Sequence, residues 1–251
     1  CTNNLKQVAL AVNNFHDVYK QIPAAAALDE APTWFVLILP FLEEQEQFDR
    51  GVLDVRWHSG ANRLNLKDYR AGFGQVQAYR CPSRVRPAGE FHERCTASGE
   101  PFPVAPYGDY AGNSGTHYLC CDIPTFYPSG EAFGPPHRGY MHSHDGVIVQ
   151  QPWGAGCCTQ YKSLLRFKSI VDGLSKTWLV GEKHVVEGRH GPTGDINSSC
   201  NEPYGCDGTW AGVNEWNQVT RLIGRDYPVA RGPTDDTFDP FIMVFGSWHP
   251  G

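Results

Sequence analysis

Apolar residues Leu5, Val8, Ala9, Val12, Phe15 and Tyr19 fall at helical spacing near the head of the chain, and Asn3, Asn4, Lys6, Gln7, Asn13 and Asn14 fill the positions between them. This spacing predicts a helix over Thr2–Tyr19, about 27 Å long, with one apolar stripe for a core and a polar face for solvent. No Gly or Pro interrupts it, and Pro23 stops its continuation. Leu5, Val8, Val12, Phe15 and Tyr19 are the residues expected to hold this helix against a sheet, each contributing about 1.5–3 kcal/mol when fully buried.

Thr33 is placed to cap a second helical stretch over 34–49, which Pro40 should kink because it lacks an N–H and its ring crowds the preceding turn. Glu43, Glu44 and Glu46 belong to its exposed side, and a shorter helix is expected over 62–69. From Gln75 onwards short apolar stretches alternate with turn residues, which predicts strands at 76–80, 146–150, 177–181, 183–186, 209–213 and 241–245. The longest expected loops are 82–109 and 187–207. Helices first and strands afterwards define an α+β fold, with the first helix laid across an antiparallel sheet. No repeat or flexible linker divides the chain, so residues 1–251 are expected to form a single domain: the helix in 1–22, a helical region in 23–75, sheet and loops in 76–251.

Composition sharpens this picture. The 251 residues include 27 Gly and 19 Pro, and only 19% are charged against a usual value of about 25%. That balance suits long ordered loops over a modest sheet. The formal charge is -6 with no block of like charges, which excludes a non-specific nucleic-acid binder. The longest strongly apolar run, 34–42, contains Pro40 and is under half of the roughly 20 residues that a membrane helix needs.

Nine cysteines spread through Gly- and Pro-rich segments point to an oxidising compartment and an exported protein, with bridges that pin loops too polar to hold themselves. Adjacent Cys120–Cys121 and Cys157–Cys158 have Cα atoms about 3.8 Å apart, closer than an ordinary disulfide spans. Each pair is therefore expected to bond elsewhere, most simply to the other pair. Cys200 and Cys206 enclose a small Pro/Gly turn. Cys81 and Cys95 bracket the first long loop and leave Cys1 odd; Cys1 to Cys81 is the competing choice, tying the helix to the sheet. A thiolate zinc site would draw on the same residues, but the chain has no CxxC pair.

Other chemistry is sparse. His142 and His144 alternate beside Asp145, so on a strand both imidazoles would point to one side, where they suit zinc or copper. Asp235, Asp236 and Asp239 form a weaker calcium candidate. No cofactor is otherwise implied. No G-x-S-x-G elbow, H-E-x-x-H pair, P-loop or dinucleotide fingerprint occurs. Glu182, after an apolar strand, is expected to serve as a hydrogen-bonding group. Among Trp153, Trp178, Trp210, Trp216 and Trp248 most should be core; Trp153 and Trp216, flanked by turn and polar residues, are the candidates for stacking on a glycan.

Several strings in order, Cys1-Thr-Asn-Asn-Leu-Lys-Gln7, Leu39-Pro-Phe-Leu-Glu-Glu44, Tyr79-Arg-Cys-Pro-Ser83, Asp109-Tyr-Ala-Gly-Asn-Ser-Gly115, Val180-Gly-Glu182 and Phe245-Gly-Ser-Trp-His-Pro-Gly251, resemble a large bacterial family of prepilin-type proteins. The globular part of that family is catalogued as a domain of unknown function. Its members normally carry a basic leader, a G-F-T-L-I-E type cleavage site and a long apolar helix ahead of the first cysteine. They usually continue past H-P-G to an A-D-G-S-V type motif. Neither is in this sequence, so the resemblance implies a core whose missing N-terminal segment is the membrane anchor and filament stem. It places Cys1 inside a longer chain, in competition with an acylated lipoprotein cysteine. It also implies a non-enzymatic pilin- or pseudopilin-like subunit at the cell surface, with like subunits or secretion machinery as partners. The competing expectation is a secreted carbohydrate-binding or polysaccharide-processing protein.

Overall fold

The computed structural model describes residues 1–25, 32–50, 73–84, 91–95, 101–116, 146–149, 165–187, 210–211, 219–225, 227–236 and 244–249. Helix α1 spans Thr2–Tyr19 and seals Val8, Ala11, Val12 and Phe15 into the core. Leu5 is partly buried against the same core. Tyr19 is 54% exposed, at the rim of the stripe, and its ring packs on Phe15 and Phe41. The helix ends at Lys20, which turns left-handed at φ 57 and donates its N–H to His16 O. None of the helices among the described residues is long and apolar enough to cross a membrane.

The stretch expected as one kinked helix is three separate pieces: α2 (Trp34–Leu37), a 3₁₀ turn at Leu39–Leu42 and α3 (Gln45–Arg50). Pro40 accounts for the first break. Glu43, held left-handed at φ 64, makes the second. Thr33 does not cap the helix with its side chain; its hydroxyl donates across the core to Trp210 O. Trp34, Phe35 and Val36 are buried, as a helix apolar on all sides must be, and the Trp34 indole N–H donates to Val219 O at 2.8 Å.

Strands β1 (Phe91–Cys95) and β2 (Pro101–Pro106) pair antiparallel inside the span expected to be loop. The other sheet has the order β4 (Val180–Glu182), β3 (Tyr110–Gly115), β5 (Thr220–Leu222). It is mixed, which corrects the antiparallel expectation: β3 runs antiparallel to β4 but parallel to β5. The antiparallel strand β4 returns the chain to the end at which β3 begins, so β5 can start there and run parallel to β3, and short strands carry no sequence mark of their direction. Helix α1 meets this sheet at β4 and rests also on the turns Leu39–Leu42 and Gln77–Tyr79.

Of the expected strands, 76–80 contains the 3₁₀ turn Gln77–Tyr79, and only Val180–Glu182 forms a strand within 177–186. Val244 and Phe245 make isolated bridges, to Leu222 and Lys183. Trp210 and Ala211 are buried outside any strand, and the helix expected at 62–69 lies outside the described residues.

In place of a strand, residues 146–149 form a bend whose Val147 and Ile148 N–H groups both donate to Asn113 O at 2.9 Å. This brings Gly146 onto the β3 backbone. A Cβ there would lie 2.1 Å from Ser114 C and 2.3 Å from Gly115 N, main-chain atoms that cannot swing away. Gly146→Ala should therefore cost about 3 kcal/mol or more, read as a lower melting midpoint. Gly232→Ala, where an added Cβ meets nothing within 4 Å, should leave the midpoint unchanged.

Candidate functional site

Five segments converge where α1 begins: its own first turn, residues 80–84, the head of β3, the end of β4 and residues 244–249. Cys1 is joined to Cys81 by a disulfide across a sequence separation of 80. Asn4, one helical turn on, donates its side-chain amide to Arg80 O at 2.6 Å. The chain after Cys81 turns to bury Arg84, whose Nη1 lies 3.2 Å from Asp109 Oδ1 with both side chains inaccessible to solvent or nearly so. The other Asp109 oxygen accepts the Cys81 N–H at 2.7 Å, and Arg84 Nη2 donates to Lys183 O. One carboxylate thus ties the disulfide turn to the head of β3, and one guanidinium ties it to the end of β4.

The fifth segment is 244–249. Gly246 N donates to Glu182 O at 3.0 Å, which carries the following turn over β4. There Ser247 Oγ donates to Glu182 Oε2 at 2.9 Å and accepts the His249 N–H at 3.1 Å. His249 Nε2 stands 3.3 Å from Glu182 Oε1 and 3.6 Å from Cys81 Sγ. Trp248 donates its indole N–H to Val185 O at 3.0 Å and lies under the Arg84 guanidinium, a cation–π contact. The serine proton points to the carboxylate and the imidazole faces the same carboxylate. The set therefore lacks the serine-to-imidazole contact of an acyl-transfer triad; its geometry is that of a brace.

Burial, helped by Glu182 and Asp109, pushes the Tyr110 hydroxyl well above its ordinary pKa. It remains a neutral donor, directed at Arg80 O 3.3 Å away. Tyr79 is raised likewise, by burial and then Glu44, and donates to Phe35 O at 2.6 Å. His184 goes the other way. Burial lowers its pKa below the ordinary 6.5, with Arg221 and Arg84 adding to the effect and Asp235 opposing it. Its Nε2 pairs with the Asp235 carbonyl at 2.7 Å, so that nitrogen carries the proton of a neutral ring. The unfolded chain binds the extra proton more readily, so this contribution to stability is complete above about pH 6.5 and is lost as pH falls below it. Comparing melting midpoints at pH 7.5 and 5.5 should show a smaller acid-induced drop in His184→Gln than in the parent.

The disulfide settles the choice left open for Cys81: its partner is Cys1, not Cys95. While that bond is made, the Cys1 sulfur cannot also carry a thioether lipid. Cys120, Cys121, Cys157, Cys158, Cys200, Cys206, Trp153, Trp216, His142, His144 and Asp145 lie outside the described residues, as does Asp239. Asp235 serves its own loop by accepting the Arg231 N–H at 2.8 Å. Trp210 is buried, whereas Trp178 is 43% exposed and stacks on Phe245. Arg84, Asp109, Ser247 and His249 were not singled out from sequence. Asp109, Ser247 and His249 sit inside the quoted motif strings, and Arg84 directly follows one, which was the available signal.

A helix joined by a disulfide to the 81–84 turn, which a buried ion pair ties in turn to a small mixed sheet, defines a disulfide-braced α+β domain. The chain belongs to the family described as "Protein of unknown function (DUF1559)", whose model matches residues 1–251. No curated protein and no solved structure matches it. The disulfide is consistent with an oxidising compartment outside the cytosol.

Proposed function

We propose that this chain is the globular part of a pilin-like, non-enzymatic subunit of an extracellular or cell-surface assembly, in contact with like subunits or secretion machinery. The supporting observation is α1. Its inner stripe is sealed into the core and its start is bonded to Cys81, while Leu10 and Val18 stand 60% and 61% exposed. A rigidly clasped helix with apolar residues left outside suits contact with a neighbouring subunit. The prepilin-type family resemblance supports the same reading.

Electron micrographs of native surface material should show polymers with regular helical contacts. Leu10→Asp should reduce polymer yield about tenfold, equivalent to about 1.4 kcal/mol, without altering the melting midpoint. Native material that stays monomeric would overturn the proposal.

A second reading is a secreted carbohydrate-binding or polysaccharide-processing protein, favoured by the exposed indole of Trp178 with Leu174 (54% exposed) nearby in sequence. A glycan array bound by the parent and lost in Trp178→Ala would support that reading, and polysaccharide turnover would decide for an enzyme.

A further inference from the structure

We infer that in its thiol form the chain binds a zinc ion between Cys1, Cys81, Glu182 and His249. One ligand atom from each, two sulfurs, a carboxylate oxygen and a ring nitrogen, lies within 4.8 Å of all the others. Residues far apart in sequence supply them: the start of α1, the turn after Arg80, the end of β4 and the 244–249 segment. His249 Nε2 is 3.3 Å from Glu182 Oε1 and 3.6 Å from Cys81 Sγ. A tetrahedron with metal–ligand bonds of about 2.0–2.3 Å has edges of about 3.3–3.8 Å, so these two contacts already have the required spacing.

While the remaining pairs already lie within 4.8 Å, the two sulfurs must part. Their Cα atoms are 5.0 Å apart, and rotation of the half-buried Cys1 side chain supplies the separation. The outer contacts are in place as well. Ser247 Oγ donates to Oε2 of Glu182, leaving Oε1 facing the imidazole. Asp109 accepts the Cys81 N–H, which fixes the main chain behind that sulfur. Such second contacts orient metal ligands and strengthen binding. His249, with its side chain 39% exposed, leaves an entry path. Two thiolates, an imidazole and a carboxylate suit zinc rather than the oxygen-seeking magnesium or calcium.

The chemistry makes the two states exclusive. Zinc binding releases one proton from each thiol and no electrons move; disulfide formation passes two electrons and two protons from the same sulfurs to an oxidising disulfide, which leaves as a dithiol. Metal and disulfide are therefore alternative clasps on the start of α1, the first available before oxidation and the second after it.

The test uses the whole 251-residue chain, reduced with a phosphine, stripped of metal and titrated anaerobically with Co²⁺ and then Zn²⁺. Other cysteines also bind cobalt, so the reading is the difference between the parent and His249→Ala. The parent should take up one further tightly held ion, with the visible absorption of tetrahedral cobalt, and zinc should bleach it. Equal uptake and equal spectra in the two chains would overturn the inference. A second measurement needs no variant: Zn²⁺ should slow iodoacetamide labelling of Cys1 and Cys81, followed by peptide mapping, about tenfold or more, because a metal-held thiolate does not attack. Unchanged labelling of both would equally overturn it.

Discussion

Arg84→Met is expected to destabilise the fold by about 3–5 kcal/mol, the cost of removing one member of a buried ion pair. Asp109 would remain almost fully inaccessible to solvent, still accepting the Cys81 N–H but no longer facing a guanidinium. Lys183 O would lose the Arg84 donor, and the cation over Trp248 would go too. Methionine keeps much of the apolar stem, so the loss reports charge and hydrogen bonding more than volume. Adding Asp109→Asn should restore a good part of it, since a neutral amide needs no cation and its oxygen can still accept from Cys81. Denaturant melts of the two single variants and the double variant give the coupling directly. A double variant no more stable than Arg84→Met would mean that the pair does not work as a unit.

That pair shows where reading the sequence runs out. Helix α1 is legible because its period of apolar residues survives folding almost unchanged: Val8, Val12 and Phe15 need only one surface to cover them. Pro40 likewise announces a break through its missing N–H. Glu43 announces nothing, yet its left-handed turn separates the 3₁₀ turn from α3. Strand β3 is harder still. Its sequence Tyr-Ala-Gly-Asn-Ser-Gly is buried at every position, so it lacks the alternation that marks a half-exposed strand. Small residues there make room for Gly146 and its neighbours to lie against the main chain, a long-range requirement invisible in a local window.

The polar cluster fails to show for a related reason. Glu182 can be read as a buried acceptor because an apolar strand leads into it. Arg84 looks like any loop arginine until the fold sets it against Asp109. The mixed sheet follows the same logic, since a three-residue strand such as β5 takes its direction from the partner it meets and not from its own side-chain pattern. Local periodicity thus reveals the helix, and the partners of buried charges emerge only with the tertiary arrangement. The disulfide lies between these cases: its two possible partners for Cys81 could be stated, but not chosen, without coordinates.

Cys1→Ser is expected to cost about 4 kcal/mol by loop-closure entropy, given the separation of 80 residues that the bond closes. For a chain of this size that corresponds to a fall of about 10 °C in the melting midpoint. Cys81→Ser should cost at least as much, because Cys81 is buried and Cys1 only half-buried. The double variant should cost no more than the larger single one, since both substitutions remove the same bond. The effect should also be local. With the clasp gone, the first turn of α1 is held by the Asn4 amide bonds to Arg80 O and Gln77 O, the Tyr110 hydroxyl bond to Cys1 O and the core contacts of Leu5. Amide hydrogen exchange should therefore accelerate over residues 2–7 before it does around Val12 and Phe15. Uniform acceleration along α1 would mean that the helix opens as one body, and the clasp would then act on the whole element rather than on its first turn. An unchanged midpoint in both single variants would mean that the Asn4 bonds and the buried stripe of α1 hold the helix in place without the disulfide.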